Sequence, residues 1–211
     1  MFKDKSLLGN YWQLKDFDER LVLSYSQNNS ISPLLAKLLF LRKIKENLIE
    51  DFLSPNIKNN LPNPFLLKDM DKSVNRVISS IQNNEIIGVI ADYDVDGSTS
   101  ASILFKFLNH FNNKIILKIP DRLNEGYGPN IRLMDELFNS KVNLIFTLDC
   151  GTSSFNIIDH QKYNKIDIIV IDHHLSESIL PKVMSIINPN RYDENSKFNH
   201  MAAVGVTFLF L

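Results

Sequence analysis

Three short clusters hold the residues of this sequence best suited to chemistry. They are Asp92-Tyr93-Asp94-Val95-Asp96-Gly97, Asp149-Cys150-Gly151 and Asp172-His173-His174. Each ends an apolar run: Ile86, Ile87, Val89 and Ile90 lead to the first, Leu144 to Leu148 to the second, and Ile168 to Ile171 to the third. Asp94 and Asp96 are two residues apart, so in an extended segment both face one ion, and Asp92 shares their parity and supports the site. Gly97 permits a sharp turn into a helix without a Cβ. Carboxylates converging from several strands repel one another, and some of their pKa values rise unless a cation compensates. Mixed carboxylate and imidazole ligands suit Mn²⁺ or Mg²⁺ better than a structural zinc. Two such ions about 4 Å apart, sharing a bridging Asp, would hold a hydroxide opposite a phosphorus atom.

Taken singly, each cluster has an ordinary reading. An Asp after a strand is usually a turn or helix-cap residue, and adjacent histidines usually mark a surface loop. Three such clusters at equivalent strand ends point instead to one metal site. Cys150 reads as a small buried neighbour, neither ligand nor nucleophile. A further loop, Pro120 to Asn130, carries Arg122, Gly126, Tyr127 and Gly128 ahead of a helix. Its glycines let backbone approach a phosphate, a helix N-terminus attracts one, and Tyr127 could stack on a base. A plain connecting loop explains the same residues.

The elements that must position these groups alternate from residue 86 onward. Strands are expected at 86–91, 114–119, 143–148 and 167–171, with a shorter run at 183–187 that ends at Asn188-Pro189-Asn190. Helices are expected at 98–111, 130–138, 153–163 and 202–211. This order predicts an α/β fold with a mostly parallel sheet flanked by helices. The ligand crevice then lies outside the carboxyl ends of the strands. Residues 1–83 show no strand alternation and are expected as an N-terminal helical extension. A leucine-dense helix follows Ser32-Pro33 and runs to about Ser54-Pro55, and an Asn- and Pro-rich loop spans 59–64. An amphipathic helix with Met70, Val74, Val77, Ile78 and Ile81 on one face then leads into the first strand. The basic residues Lys37, Arg42, Lys43 and Lys45 read as a solvated face.

Composition sets mild bounds. With 211 residues and 44% hydrophobic content the chain can bury a core, which excludes disorder. A formal net charge of -1 gives no global case for nucleic acid, and does not exclude a local basic groove. One cysteine excludes a disulfide framework and fits a reducing compartment, and no run approaches a membrane span. The expected location is the cytoplasm.

The three clusters resemble the first three motifs of the DHH phosphoesterase superfamily, named for its Asp-His-His triplet. The closer resemblance is to the RecJ single-strand exonuclease branch. It extends to Trp12, the 34–39 helix, Phe52-Leu53-Ser54-Pro55, Lys68-Asp69-Met70-Asp71, Glu125-Gly126-Tyr127-Gly128, Asn188-Pro189-Asn190 and Ala203-Val204-Gly205-Val206 with Phe208. Ile90 stands where the small-substrate branches carry histidine, and Ala91 where RecJ proteins usually have glycine.

The resemblance implies metal ligands at Asp94, Asp96, Asp149 and His173. His174 would meet the scissile phosphate or stand behind the ligands, and Asp172 would orient a neighbouring histidine or complete the ligand set. The implied reaction is Mn²⁺- or Mg²⁺-dependent hydrolysis of single-stranded DNA from the 5′ end, with two ions in the intact protein, in recombination and repair. Partners would be single-stranded DNA and repair proteins such as a helicase or a single-strand-binding protein, with no membrane. Rival readings are a phosphodiesterase of short RNA oligomers or cyclic dinucleotides, and a non-catalytic scaffold. The resemblance further implies that residues 84–211 are a truncated phosphoesterase domain, lacking a fourth motif and a second domain. The chain is then expected to be a fragment of weak or no activity, with Phe208 to Leu211 exposed.

Overall fold

The structure, a computed structural model, describes residues 5–13 and 15–211. It separates into two compact units, Met1–Pro62 and Asn63–Leu211.

In the first unit, α1 (Glu19–Asn28) starts at Asp18, whose carboxylate accepts the Arg20 amide. Ser32 caps α2 (Pro33–Leu41), with Pro33 in its first turn. The sequence-based expectation contains no α1, and it runs the leucine-rich helix too far. α2 stops at Leu41 because Lys43 adopts a left-handed φ of +59°. The Ile44 amide then donates back to the Leu39 carbonyl and the Lys43 amide to Phe40, a Schellman closure. A 3-10 turn (Glu46–Leu48) and the short α3 (Ile49–Leu53) follow. Part of the expected loop is helical, as α4 (Ile57–Asn60). Val22, Tyr25, Ala36, Leu39 and Ile49 form the small core.

The second unit begins with α5 (Met70–Gln82). There follow β1 (Ile87–Ala91), α6 (Val95–Asn109), β2 (Ile115–Lys118), α7 (Ile131–Asn139) and β3 (Leu144–Leu148). The chain continues through α8 (Phe155–Ile158), β4 (Asp167–Ile171), β5 (Ser185–Ile187) and α9 (Ala203–Phe210). The strands form one parallel sheet in the order β2-β1-β3-β4-β5. β1 and β3 are buried along their whole length, as expected of strands covered on both faces. On one face Ile87, Val89, Phe146, Leu148, Ile169 and Ile171 pack with residues of α5, α6 and α9. On the other, Ile90, Ile145, Ile168 and Val170 pack with Leu133, Met134 and Leu137 of α7.

Three expectations need correction. Compactness places the division at Pro62 rather than at residue 83, because Val77 and Met70 of α5 are buried in the same core as the sheet. The helix expected over 153–163 is broken into α8 and a 3-10 turn, Gln161–Tyr163. The end of α9 is not a row of exposed apolar residues: Leu209 and Phe210 are buried, Phe210 lies edge-on to Phe146, and Phe208 is half exposed. Among the described residues no helix is long and apolar enough to cross a membrane.

Candidate metal centre

The sheet register brings the clusters together. Ala91 pairs with Leu148, Leu148 with Ile171, and Ile171 with Ile187. The residues one step further along are therefore Asp92, Asp149, Asp172 and Asn188, side by side at the carboxyl edge. The ladder continues through them, since the amides of Asp92, Asp149 and Asp172 donate to the carbonyls of Leu148, Ile171 and Ile187. All four are buried. The order β2-β1-β3 makes the space between β1 and β3 the switch point of the sheet, where α/β folds bind ligands.

The turn after β1 departs from the extended geometry expected for Asp94 and Asp96. α6 begins at Val95, three residues earlier than the sequence suggests, with Asp94 as its cap. The Gly97 amide donates to Asp94 Oδ1 at 3.0 Å, and this hydrogen bond, the largest cause, lowers the Asp94 pKa. Asp96 thus sits in the first helical turn, not on a strand. Its two carboxylate oxygens accept the amides of Ala203 (2.8 Å) and Val204 (2.6 Å), capping the start of α9, where Ala202 has no side chain to do so. Gly97 is required by a close approach: a Cβ there would lie 2.4 Å from the Asp92 carbonyl oxygen.

Asp149 is the common corner of the site. Ligand atoms of Asp149, His173 and His174 lie within 4.8 Å of one another, as do those of Asp92, Asp94 and Asp149. Asp149 has a left-handed φ of +60°. Its Oδ1 is 3.3 Å from His173 Nε2 but is not aligned for a hydrogen bond. Among the described residues that oxygen has no hydrogen-bond partner, nor does Oδ1 of Asp92. Burial, then the charges of Asp96 and Asp94, push the Asp149 carboxyl up to about 8. Asp96 reaches the site through His173, 3.5 Å from its Nε2.

Asp172 belongs to neither ligand triplet. Its Oδ1 accepts the amides of His173 (2.7 Å) and His174 (3.2 Å) and lies 2.7 Å from His174 Nδ1. The Thr152 amide donates to its Oδ2. Burial pushes Asp172 up, but the hydrogen bonds from His174 and Thr152 outweigh it and its pKa is lowered. The same contact raises the His174 pKa.

The 120–130 loop reaches the site through Tyr127 alone of the residues singled out there. The Tyr127 hydroxyl donates to the Asp149 carbonyl at 2.6 Å and is 3.0 Å from His174 Nδ1, with the two rings edge to face at 5.5 Å. Tyr127 thus braces the centre through its hydroxyl, and the residue stays half exposed. Gly126 and Gly128 have left-handed φ values of +77° and +79°, which favour glycine; an added Cβ would meet open space at Gly126 and only ordinary contact with Cys150, at 3.5 Å, at Gly128. Arg122 is exposed and stands over the Tyr93 ring at 5.3 Å. Cys150 is buried, as expected.

Asn188, Asn190 and Thr152, which have no role in the sequence-based expectation, hold the site as well. Asn188 donates to Thr152 Oγ1 and to the His174 carbonyl, both at 2.9 Å. Asn190 donates to the His173 carbonyl at 2.5 Å. The signal for Asn188 was present: the 183–187 run ends in a polar residue just as the other runs do.

The family model described as "DHH family, N-terminal domain" matches residues 86–211. The single-stranded-DNA-specific exonuclease RecJ of Bacillus subtilis is 30% identical over 197 residues, 93% of this chain and 25% of the relative. The protein of the same name from Escherichia coli is 31% identical over 182 residues, 86% of this chain and 31% of the relative. The chain thus spans about a quarter to a third of the length of these relatives. Among solved structures, exonuclease RecJ bound to manganese aligns with a TM-score of 0.62 at 28% identity, covering 68% of this chain and 36% of that one. RecJ from Thermus thermophilus in complex with Mn²⁺ aligns with a TM-score of 0.71 at 21% identity over 93% of this chain and 27% of that one, which speaks to the fold. On its motifs, its sheet and the span of the family model, the chain belongs to the DHH family.

Proposed function

We propose that residues 86–211 carry the hydrolytic centre of a metal-dependent, single-stranded-DNA-specific exonuclease that cleaves phosphodiesters from the 5′ end. The observation that carries this reading is the shared corner at Asp149. A buried carboxylate oxygen without a partner, flanked by two ligand triplets, is costly without a cation and useful with one. The donor set is oxygen and imidazole, which suits Mn²⁺ or Mg²⁺. Asp92, Asp94 and Asp149 would hold one ion, and Asp149 and His173, supported by Asp96, the other. Such ions supply a nucleophilic hydroxide and charge neutralisation at phosphorus. The relatives above are named as single-stranded-DNA-specific exonucleases, and the similar solved RecJ structures hold Mn²⁺, which supports the same assignment.

The protein's own groups have separate tasks. Asp172 fixes the rotamer of His174, and the raised His174 pKa suits an imidazolium that meets a phosphate oxygen. Tyr127 braces Asp149 through its carbonyl. Arg122 supplies a cation free of carboxylates within 4.0 Å among the described residues, for a phosphate further along the strand, and Gly126 and Gly128 keep that approach open. Cytoplasmic repair and contacts to a helicase or single-strand-binding protein belong to this reading.

The test is cleavage of 5′- and 3′-end-labelled single-stranded DNA with Mn²⁺, by the chain alone and in its natural sequence context. Asp149→Ala is expected to abolish cleavage, roughly a 10⁴-fold loss. Arg122→Ala is expected to weaken DNA binding and lower its salt slope by about one. Near-wild-type cleavage by Asp149→Ala would overturn the assignment.

A further inference from the structure

The His173-His174 segment has no regular secondary structure, so its peptide groups must find partners elsewhere. On the amide side, Asp172 Oδ1 takes both N–H groups. On the carbonyl side, Asn190 Nδ2 donates to His173 and Asn188 Nδ2 to His174. Each histidine peptide is therefore held at both ends by a side chain from the loop after β5 or from Asp172. We infer that Asn188 and Asn190 are positioning residues that aim the two imidazoles into the Asp149 corner by clamping their backbone carbonyls.

Asparagine is the residue type this task needs. Asn188 is fully buried and uses both ends of its amide: Nδ2 donates to Thr152 Oγ1 and the His174 carbonyl, while Oδ1 accepts the Asn190 amide. An aspartate would set a carboxylate against a carbonyl, and would add a charge to a row that already holds Asp92, Asp149 and Asp172. The neutral amide gives the fourth place in that row a donor in place of another repulsive group. The loop has its own anchor: Arg191 donates from Nη1 to Asp69 Oδ2 at 2.8 Å and to the Ile186 carbonyl at 2.6 Å, and from Nε to Asp193. Asp69 Oδ2 also accepts the Ile186 amide. The clamp is thus fixed to α5 and β5, outside the metal centre. Partners that orient ligands in this way typically change metal affinity 10–100-fold when removed.

The inference rests on the proposed metal centre, and its test separates the two. Asn190→Ala, Asn190→Asp and Asn188→Asp would be compared with the wild type in two measurements. The first is the ring rotamer of His173 and His174 in the metal-free protein, from side-chain couplings in NMR spectra. The second is Mn²⁺ affinity by calorimetry. The expected result is one rotamer for each ring in the wild type and averaging in Asn190→Ala, with Mn²⁺ bound about 10-fold more weakly and cleavage recovered by raising Mn²⁺ while KM for DNA stays unchanged. Asn190 is only partly buried, so its variants keep the test open if Asn188→Asp fails to fold. Wild-type rotamers and Mn²⁺ affinity within twofold in both Asn190 variants would overturn the clamp. A wild type that orders both rings but binds no Mn²⁺ would overturn the metal reading and leave the clamp standing.

Discussion

Asp94 and Asp96 in the turn after β1 and Asp149 in the turn after β3 serve one centre but are held in opposite ways. Asp92, at the end of β1, has, like Asp149, a buried oxygen with no partner among the described residues. After β1, Asp94 and Asp96 are satisfied by amides: one caps the start of α6, the other the start of α9. After β3, Asp149 has an unpartnered buried oxygen, a left-handed backbone and a raised pKa. The first turn therefore combines ligand and structural duties, and the second gives up stability to place a charge. Carboxylates of the same type in one site should then respond to removal with opposite signs.

The sharpest challenge to this contrast is Gly97→Ala. Its Cβ would meet the backbone of Asp92 rather than a flexible side chain, so the β1 turn must open. A loss of about 3 kcal/mol in urea unfolding is expected, with loss of Mn²⁺ binding. A stable, metal-binding Gly97→Ala protein would show that the turn does not depend on this approach.

Asp149→Asn should have the opposite sign. A carboxyl with a folded pKa near 8 keeps its proton in the folded state when the unfolded chain has lost it. Stability of the metal-free wild type therefore falls as pH rises from the ordinary carboxylate range to about 8, and levels off above it. The variant lacks this loss, so its advantage should grow across that window and level off above pH 8. Thermal melts in chelator at several pH values would read it. A constant difference across pH would place the repulsion elsewhere.

Asp96→Ala is the smaller effect and the one that separates the turns. It removes the acceptor for two amides of α9, so a loss of about 1 kcal/mol is expected, with or without metal. An Asp96→Ala protein as stable as the wild type would make its capping incidental and leave only its place beside His173.

Much of the sheet was legible because parallel strands buried on both faces leave continuous apolar runs, and Ile87–Ala91, Leu144–Leu148 and Asp167–Ile171 end where those runs end. The meeting of the three clusters followed from that. What the sequence hid was local. Asp94 reads equally as a strand-borne ligand or a helix cap, and the Gly97 amide decided for the cap, turning Asp96 toward α9. That capping contact spans 107 residues, which no spacing rule reports. The bracing contact of Tyr127 is hidden in the sequence because its hydroxyl partners, Asp149 and His174, follow other strands. In the first unit the leucine run hid a Schellman stop at Lys43, a position where sequence favours glycine.

Because Asp92, Asp149, Asp172 and Asn188 share one register position, the sheet acts as a ruler for the centre. The ruler has no tolerance: deleting one residue inside β4 would move His173 into the place of Asp172 and turn its side chain to the opposite face. Connections that carry no group of the centre escape this constraint at their exposed positions, such as Gln161, Lys162 and Asn164 before β4, although Tyr163 among them is buried. Insertions or deletions at those exposed positions should leave the centre intact, whereas the strands that end in ligands must keep their residue count.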